Sequence, residues 1–211
     1  MRLSECVELG VVLSMAYPEA FQSSQTAIAA LGQVAAEGGF SFIETVPIPE
    51  TWEREWASAL ADSPVRPFAL AGSAVVYGEN LDPDSSDEGE RKRAVEALKP
   101  VIDQAQRLGY EVVALATGPY EADWRLRSAR TQALITSLME ICAYAQGAGI
   151  TILVETFDSR IDKRRSLGCS YKAARLIGEV AASYSNIGLL PDLSHIPLIG
   201  EGIEESLLAL G

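Results

Sequence analysis

Short apolar runs and amphipathic stretches take turns along the whole sequence. Strand-like runs lie at 6–14, 40–48, 66–77, 110–118, 150–157 and 187–192, and helical patterns at 24–39, 51–63, 87–109, 130–149, 171–185 and 201–211. Six strand–helix units in succession require parallel strands, because each helix is the crossover to the next strand. The helix ends read "AEGGF", "RLGYE" and "GAGIT", with glycine just before the next strand, as tight αβ turns demand. The stretch 51–63 opens on Thr51 as a cap with glutamate in its first turn, a helix start signal. The strands are apolar on both faces, as expected when helices cover a parallel sheet.

Two architectures satisfy this pattern, an open doubly wound sheet and a (β/α)8 barrel. After the first strand, "VVLSMAYPEA" carries no glycine-rich phosphate fingerprint. Polar residues instead recur at successive strand ends: Glu44, Ser73, Gly118, Glu155 and Asp192. A site assembled from many strand ends is the barrel's way of building one. The expectation is an α/β fold, a (β/α)8 TIM barrel in a single domain over 1–211. About six βα units are present, with strands seven and eight missing at the C-terminal end. Six strands alone leave two open edges, so the natural protein is expected to continue past Gly211.

The 211 residues, 48% hydrophobic, suit one core. Seventeen Lys and Arg against 29 Asp and Glu give a formal charge of −12, which argues against general binding to nucleic acid or an anionic membrane. Cys6, Cys142 and Cys169 are scattered with no CxxC spacing and read as reduced thiols. Glu5 and Glu8 stand where a secretory leader would be basic and then apolar, and no apolar run approaches the roughly 18 residues of a membrane span. A cytoplasmic protein with a small-molecule partner is expected; exposed barrel edges leave a homodimer open.

The chemistry-bearing residues gather late in the chain. "ILVETFD" puts Glu155 at the carboxyl end of strand five, and "LLPDLSH" puts Asp192 and His195, the one histidine, at the same end of strand six. The pattern D-x-x-H is weak alone and also describes a strand-end aspartate capping a loop beside a hydrogen-bonded histidine. Two carboxylates at the ends of neighbouring strands with an imidazole beside them need pairing, hydration or a metal, and a divalent cation satisfies that need. The loop "DSRIDKRRSLG" carries Arg160, Lys163, Arg164 and Arg165. It reads either as a solvated charged loop or as a clamp for a substrate phosphate or carboxylate, with Arg160 nearest the strand end. Trp124 follows strand four, where it can wall a substrate pocket. Trp52 and Trp56 are read as packing residues, and Glu44 as a hydrogen-bonding group at the mouth. The acid-rich 78–90 is a long loop with the makings of a lid, and its spacing does not fit an EF-hand.

Taken together, "GFSFIE", "RKRAVEALKPVIDQAQRLGYEVVALATGP", "SLMEICAYAQGAGITILVETFD" and "NIGLLPDLSHIPLIGE" resemble the xylose isomerase-like superfamily of sugar isomerases and epimerases, which are (β/α)8 barrels. The resemblance implies that Glu155 is a metal ligand and proton acceptor, Asp192 a second ligand, and His195 a contact to substrate hydroxyls. It also implies a divalent ion (Mn2+, Mg2+, Co2+ or Zn2+) and, from strands seven and eight, a histidine and a glutamate that these 211 residues do not contain. The implied activity is an isomerase or epimerase of carbohydrate metabolism, moving a proton next to the carbonyl of a small keto-sugar or related hydroxy-ketone. A non-catalytic barrel remnant that binds sugar or metal is the alternative. An endonuclease IV-like DNA-repair enzyme of the same superfamily needs several histidines and a basic face, which one histidine and a charge of −12 oppose.

Overall fold

The computed structural model describes residues 7–210. Six strands form one sheet: β1 (Gly10–Val12), β2 (Phe42–Thr45), β3 (Arg66–Ala71), β4 (Val112–Leu115), β5 (Thr151–Thr156) and β6 (Ile187–Pro191). Every neighbouring pair is parallel, and the order in space is the order in sequence. That order separates the two architectures. A doubly wound sheet reverses direction at a switch point, whereas a barrel adds each strand beside the last. The sheet is therefore six consecutive strands of a barrel, and among the described residues β1 and β6 each have one strand neighbour.

The helices are α1 (Leu13–Ala16), α2 (Ser24–Glu37), α3 (Glu53–Asp62), α4 (Ser73–Gly78), α5 (Glu88–Leu108), α6 (Trp124–Ala148), α7 (Ser170–Ala181) and α8 (Ile203–Leu210). Their ends follow local chemistry. Ser23 and Thr26 form a reciprocal capping box at the start of α2, and the carboxylates of Asp87 and Asp123 accept backbone N–H bonds at the starts of α5 and α6. Gly109 and Gly149 close α5 and α6 in the left-handed region, at φ +76° and +72°, where a side chain would be strained. There Tyr110 N–H and Ile150 N–H bond back to Ala105 and Ala145 and the chain drops directly into β4 and β5.

Burial explains which strand face carries the core. In β5, Ile152, Val154 and Thr156 are buried against the helices while Leu153 and Glu155 stand half-buried on the opposite face. β4 is buried at every position. Trp56 is buried and its indole N–H donates to the Tyr110 hydroxyl at 3.2 Å, which in turn bonds Thr45 at 2.6 Å. Trp52 packs partly buried against the same core, so both tryptophans pack as expected. No described helix is long and apolar enough to cross a membrane.

Several boundaries differ from the sequence reading. The run 6–14 is a strand only over Gly10–Val12, and Cys6 lies outside the described residues. The run 66–77 is split by Gly72 into β3 and α4; a Cβ at Gly72 would come within 2.8 Å of Leu115, so glycine permits the close approach of the neighbouring strand. Thr51 is not a cap: it sits inside a short 3-10 turn, Glu50–Trp52, that leads into α3 without a side-chain cap bond. The loop at 79–87 is also more firmly held than a lid. Leu81, Asp84 and Ser85 are buried, Arg130 clamps Asp82 at 2.9 and 3.0 Å, and Ser137 donates to the Pro83 carbonyl at 2.7 Å.

Candidate active site

The parallel sheet delivers all strand carboxyl ends to one side. Glu44 is next to last in β2, Glu155 next to last in β5, and Asp192 follows β6. Burial is the main force on the Glu155 carboxyl and, with the negative charges of Glu44 and Asp192, pushes it up to about 8; the Lys163 ammonium pulls weakly the other way. Burial alone raises Glu44 above the usual carboxylate range. Glu44 and Glu155 stand three strands apart in the sheet order, yet the charge of Glu44 reaches Glu155. Parallel pairing puts the carboxyl ends of β2, β5 and β6 on one side of the sheet, and barrel curvature brings such ends toward one mouth.

His195 lies in the turn after β6 and is buried, with 5% exposure. Its Nδ1 is 3.2 Å from Asp158 Oδ1, and its Nε2 is 3.5 Å from Asp192 Oδ2 and 3.9 Å from Asp162 Oδ2. The imidazole and the Phe157 ring form a T-shaped pair, with centroids 5.2 Å apart. Asp192 shapes the turn itself: its Oδ1 accepts from the Ser194 N–H at 2.8 Å and hydroxyl at 2.7 Å, an Asx turn that leaves Oδ2 toward the histidine.

Asp158 was not singled out by the sequence. It is completely buried, and its Oδ2 accepts from the N–H groups of Arg160 (3.0 Å), Ile161 and Asp162 (2.9 Å), while Oδ1 accepts from Lys163 (2.8 Å). Burial would raise this carboxyl, but the four backbone donors outweigh it and hold the group well below the ordinary range. The local signal was "DSR" directly after a strand, an Asx-turn pattern overshadowed by the cations that follow. Asp84 was missed for a similar reason, hidden in an acidic run. It is buried, accepts from Gly118 N–H at 2.8 Å and from the Ser166 hydroxyl, and burial pushes its carboxyl up to about 6. These bonds, with Ser166 N–H on the Gly118 carbonyl and Tyr120 N–H on that of Arg164, tie the loops after β3, β4 and β5 together.

The remaining expected site residues are more peripheral. Arg160 is exposed on the loop surface, and the loop cation whose charge acts on Glu155 is Lys163. Arg165 is committed elsewhere, stacked 4.0 Å over the Tyr77 ring. Trp124 begins α6 on the same side of the barrel but is 72% exposed. As to metal-holding groups, donor atoms of Asp158, Asp162 and His195 lie within 4.8 Å of one another, but the oxygens of Asp158 are already taken up by backbone donors and the imidazole. Glu155 instead feels the negative charges of Glu44 and Asp192 against only the weak positive charge of Lys163. Hard oxygen donors lacking a counter-charge are a set that fits a divalent cation.

The family model described as the xylose isomerase-like TIM barrel matches residues 33–211. The chain belongs to that family. Its structure is similar to that of a D-tagatose 3-epimerase-like protein (21% identity, TM-score 0.74), covering 97% of this chain and 71% of that one. It is similar also to a D-psicose 3-epimerase from Clostridium cellulolyticum H10 (15%, TM-score 0.77, 97% and 70%). A third similar structure is the IOLI protein with a zinc atom (17%, TM-score 0.71, 93% and 66%). The chain thus spans about two thirds of the length of these family barrels. A comparison with curated proteins finds no match.

Proposed function

We propose that this chain supplies the Glu155, Asp192 and His195 part of a metal-dependent isomerase or epimerase site acting on a small keto-sugar. The observation that carries the reading is the half-buried Glu155 at the carboxyl end of β5, on the same side of the sheet as Glu44 at the end of β2 and Asp192 after β6; burial and the charges of Glu44 and Asp192 push its carboxyl up to about 8. A carboxylate so destabilised is suited both to take a proton and to welcome a cation. The sugar epimerase names of structural neighbours support the substrate class, and the zinc named with the IOLI protein supports a divalent ion.

Glu155 and Asp192 would hold the ion, which when bound supplies Lewis-acid stabilisation of the negative charge that develops on the carbonyl oxygen. The protein's own residues do the rest. A Glu155 oxygen takes the proton from the carbon beside the carbonyl. His195, fixed by Asp158, contacts a substrate hydroxyl. Lys163 provides a positive charge near the carboxylates, and Arg160 and Trp124 are the outer candidates for substrate contact. Returning the proton to the other face requires a second acid, which the family resemblance assigns to an eighth strand that these 211 residues do not include.

The test is proton exchange. In D2O with Mn2+, D-tagatose and D-psicose are expected to gain deuterium next to the carbonyl, and Glu155→Gln is expected to abolish the gain. Metal binding without exchange on any keto-sugar would favour a non-catalytic binding barrel. Nicking of abasic DNA would favour the endonuclease class.

A further inference from the structure

His195 is the chain's one histidine, and each of its ring nitrogens faces something different. Nδ1 meets a carboxylate that is wholly buried and already receives four backbone N–H bonds. Such a carboxylate is held ionised and can only accept, so Nδ1 must be the donor in the 3.2 Å contact to Asp158. Nε2 faces Asp192, just after β6, and the loop residue Asp162 at 3.5 and 3.9 Å, beyond good hydrogen-bond length. The Phe157 ring packs against the imidazole in a T-shaped pair, and the backbone bond from His195 N–H to the Asp192 carbonyl, at 3.0 Å, fixes the turn.

We infer that Asp158 is a positioning residue: it fixes His195 in the Nδ1–H tautomer and so leaves the Nε2 lone pair as a hydrogen-bond acceptor for a donor at the barrel mouth. The donor it fits is a hydroxyl of a polyhydroxy ketone. Only this identification of the donor rests on the isomerase reading; the tautomer does not. The loop "DSRIDK" is the device. By wrapping its own amides around Asp158 it stabilises a full negative charge with no cation, and so makes a rigid anchor for the ring.

A single histidine makes the test direct. Protein labelled with 15N-histidine gives one imidazole, and long-range 1H–15N correlation reports which nitrogen bears the proton once the ring is neutral. The wild type is expected to show Nδ1–H. In Asp158→Asn the amide oxygen must serve the N–H groups of residues 160–162, which turns the NH2 toward Nδ1, so the tautomer is expected to invert to Nε2–H. An Nε2–H or mixed wild-type ring, or an unchanged tautomer in Asp158→Asn, would overturn the inference. Should that variant fail to fold, the Nδ1-bound proton of the wild type decides: slow solvent exchange supports the anchor and fast exchange refutes it. With a keto-sugar that the protein turns over, Asp158→Asn is expected to raise KM about tenfold. An inverted tautomer without any keto-sugar turnover would leave the anchor intact and count only against the isomerase reading.

Discussion

Asp158 and Glu155 are three residues apart, carry the same functional group and are both withdrawn from water, yet the fold treats them oppositely. Asp158 sits in a ring of backbone amides that more than offset its burial and hold it ionised. Glu155 has no such solvation; burial and two neighbouring carboxylates push it up to about 8. The first carboxylate is finished by the protein itself, and the second is left without such partners. Burial alone therefore does not mark a functional carboxylate. The informative quantity is whether the chain has already supplied the partners.

The largest expected break in that contrast is catalytic. Glu155→Gln is expected to lower kcat on a responsive keto-sugar by about a thousandfold, measured by initial rates; turnover within about threefold of wild type would remove Glu155 from the chemistry. Stability should show the opposite ranking. Asp158→Ala strands four backbone donors and is expected to cost about 3 kcal/mol in denaturant unfolding. Glu155→Gln, which removes an unfavourable charge, is expected to stabilise the metal-free protein at pH 8 by about 1 kcal/mol. Equal signs for the two variants would collapse the comparison.

The pH dependence sharpens it further. Glu155 has a folded pKa above its unfolded value, so between about 4.5 and 8 the folded metal-free chain keeps a proton that the unfolded chain has lost. Stability should fall as pH rises through that window, and Glu155→Gln should flatten the slope. Asp158 works from the other side: its lowered pKa gives stability that is present above about 4 and lost as pH falls further. Thermal midpoints of the metal-free protein from pH 3 to 9 check both limbs. The smallest effect is expected at the loop surface, where Arg160→Ala should change stability by less than about 0.5 kcal/mol. Lys163→Ala should raise the Glu155 pKa further, as read by NMR of the labelled carboxyl.

The repeating strand–helix alternation and the glycines before β2, β4 and β5 were enough to read parallel β/α architecture, and the positions of Glu155, Asp192 and His195 at or just after strand ends were legible because strand ends are predictable. The polar residues at successive strand ends favoured the barrel over an open sheet with the same alternation, and the strand order bears that out. Gly72 hid a strand–helix break inside an apolar run, because periodicity does not register a single close backbone approach. Asp158 and Asp84 were hidden because their partners are backbone groups and residues up to 82 positions away, contacts that leave no spacing pattern. Arg160 was favoured for its nearness in sequence, whereas loop geometry placed the charge of Lys163 on Glu155.

Calorimetric titration of the metal-free protein with Mn2+ tests the central claim most directly, comparing wild type with Asp192→Asn, Glu155→Gln and Asp162→Asn. The account predicts one ion per chain, binding weakened at least tenfold by Asp192→Asn and by Glu155→Gln, and little change in Asp162→Asn. Unchanged affinity in the first two variants, or a loss confined to Asp162→Asn, would contradict it and move the ion to the Asp158–Asp162–His195 group.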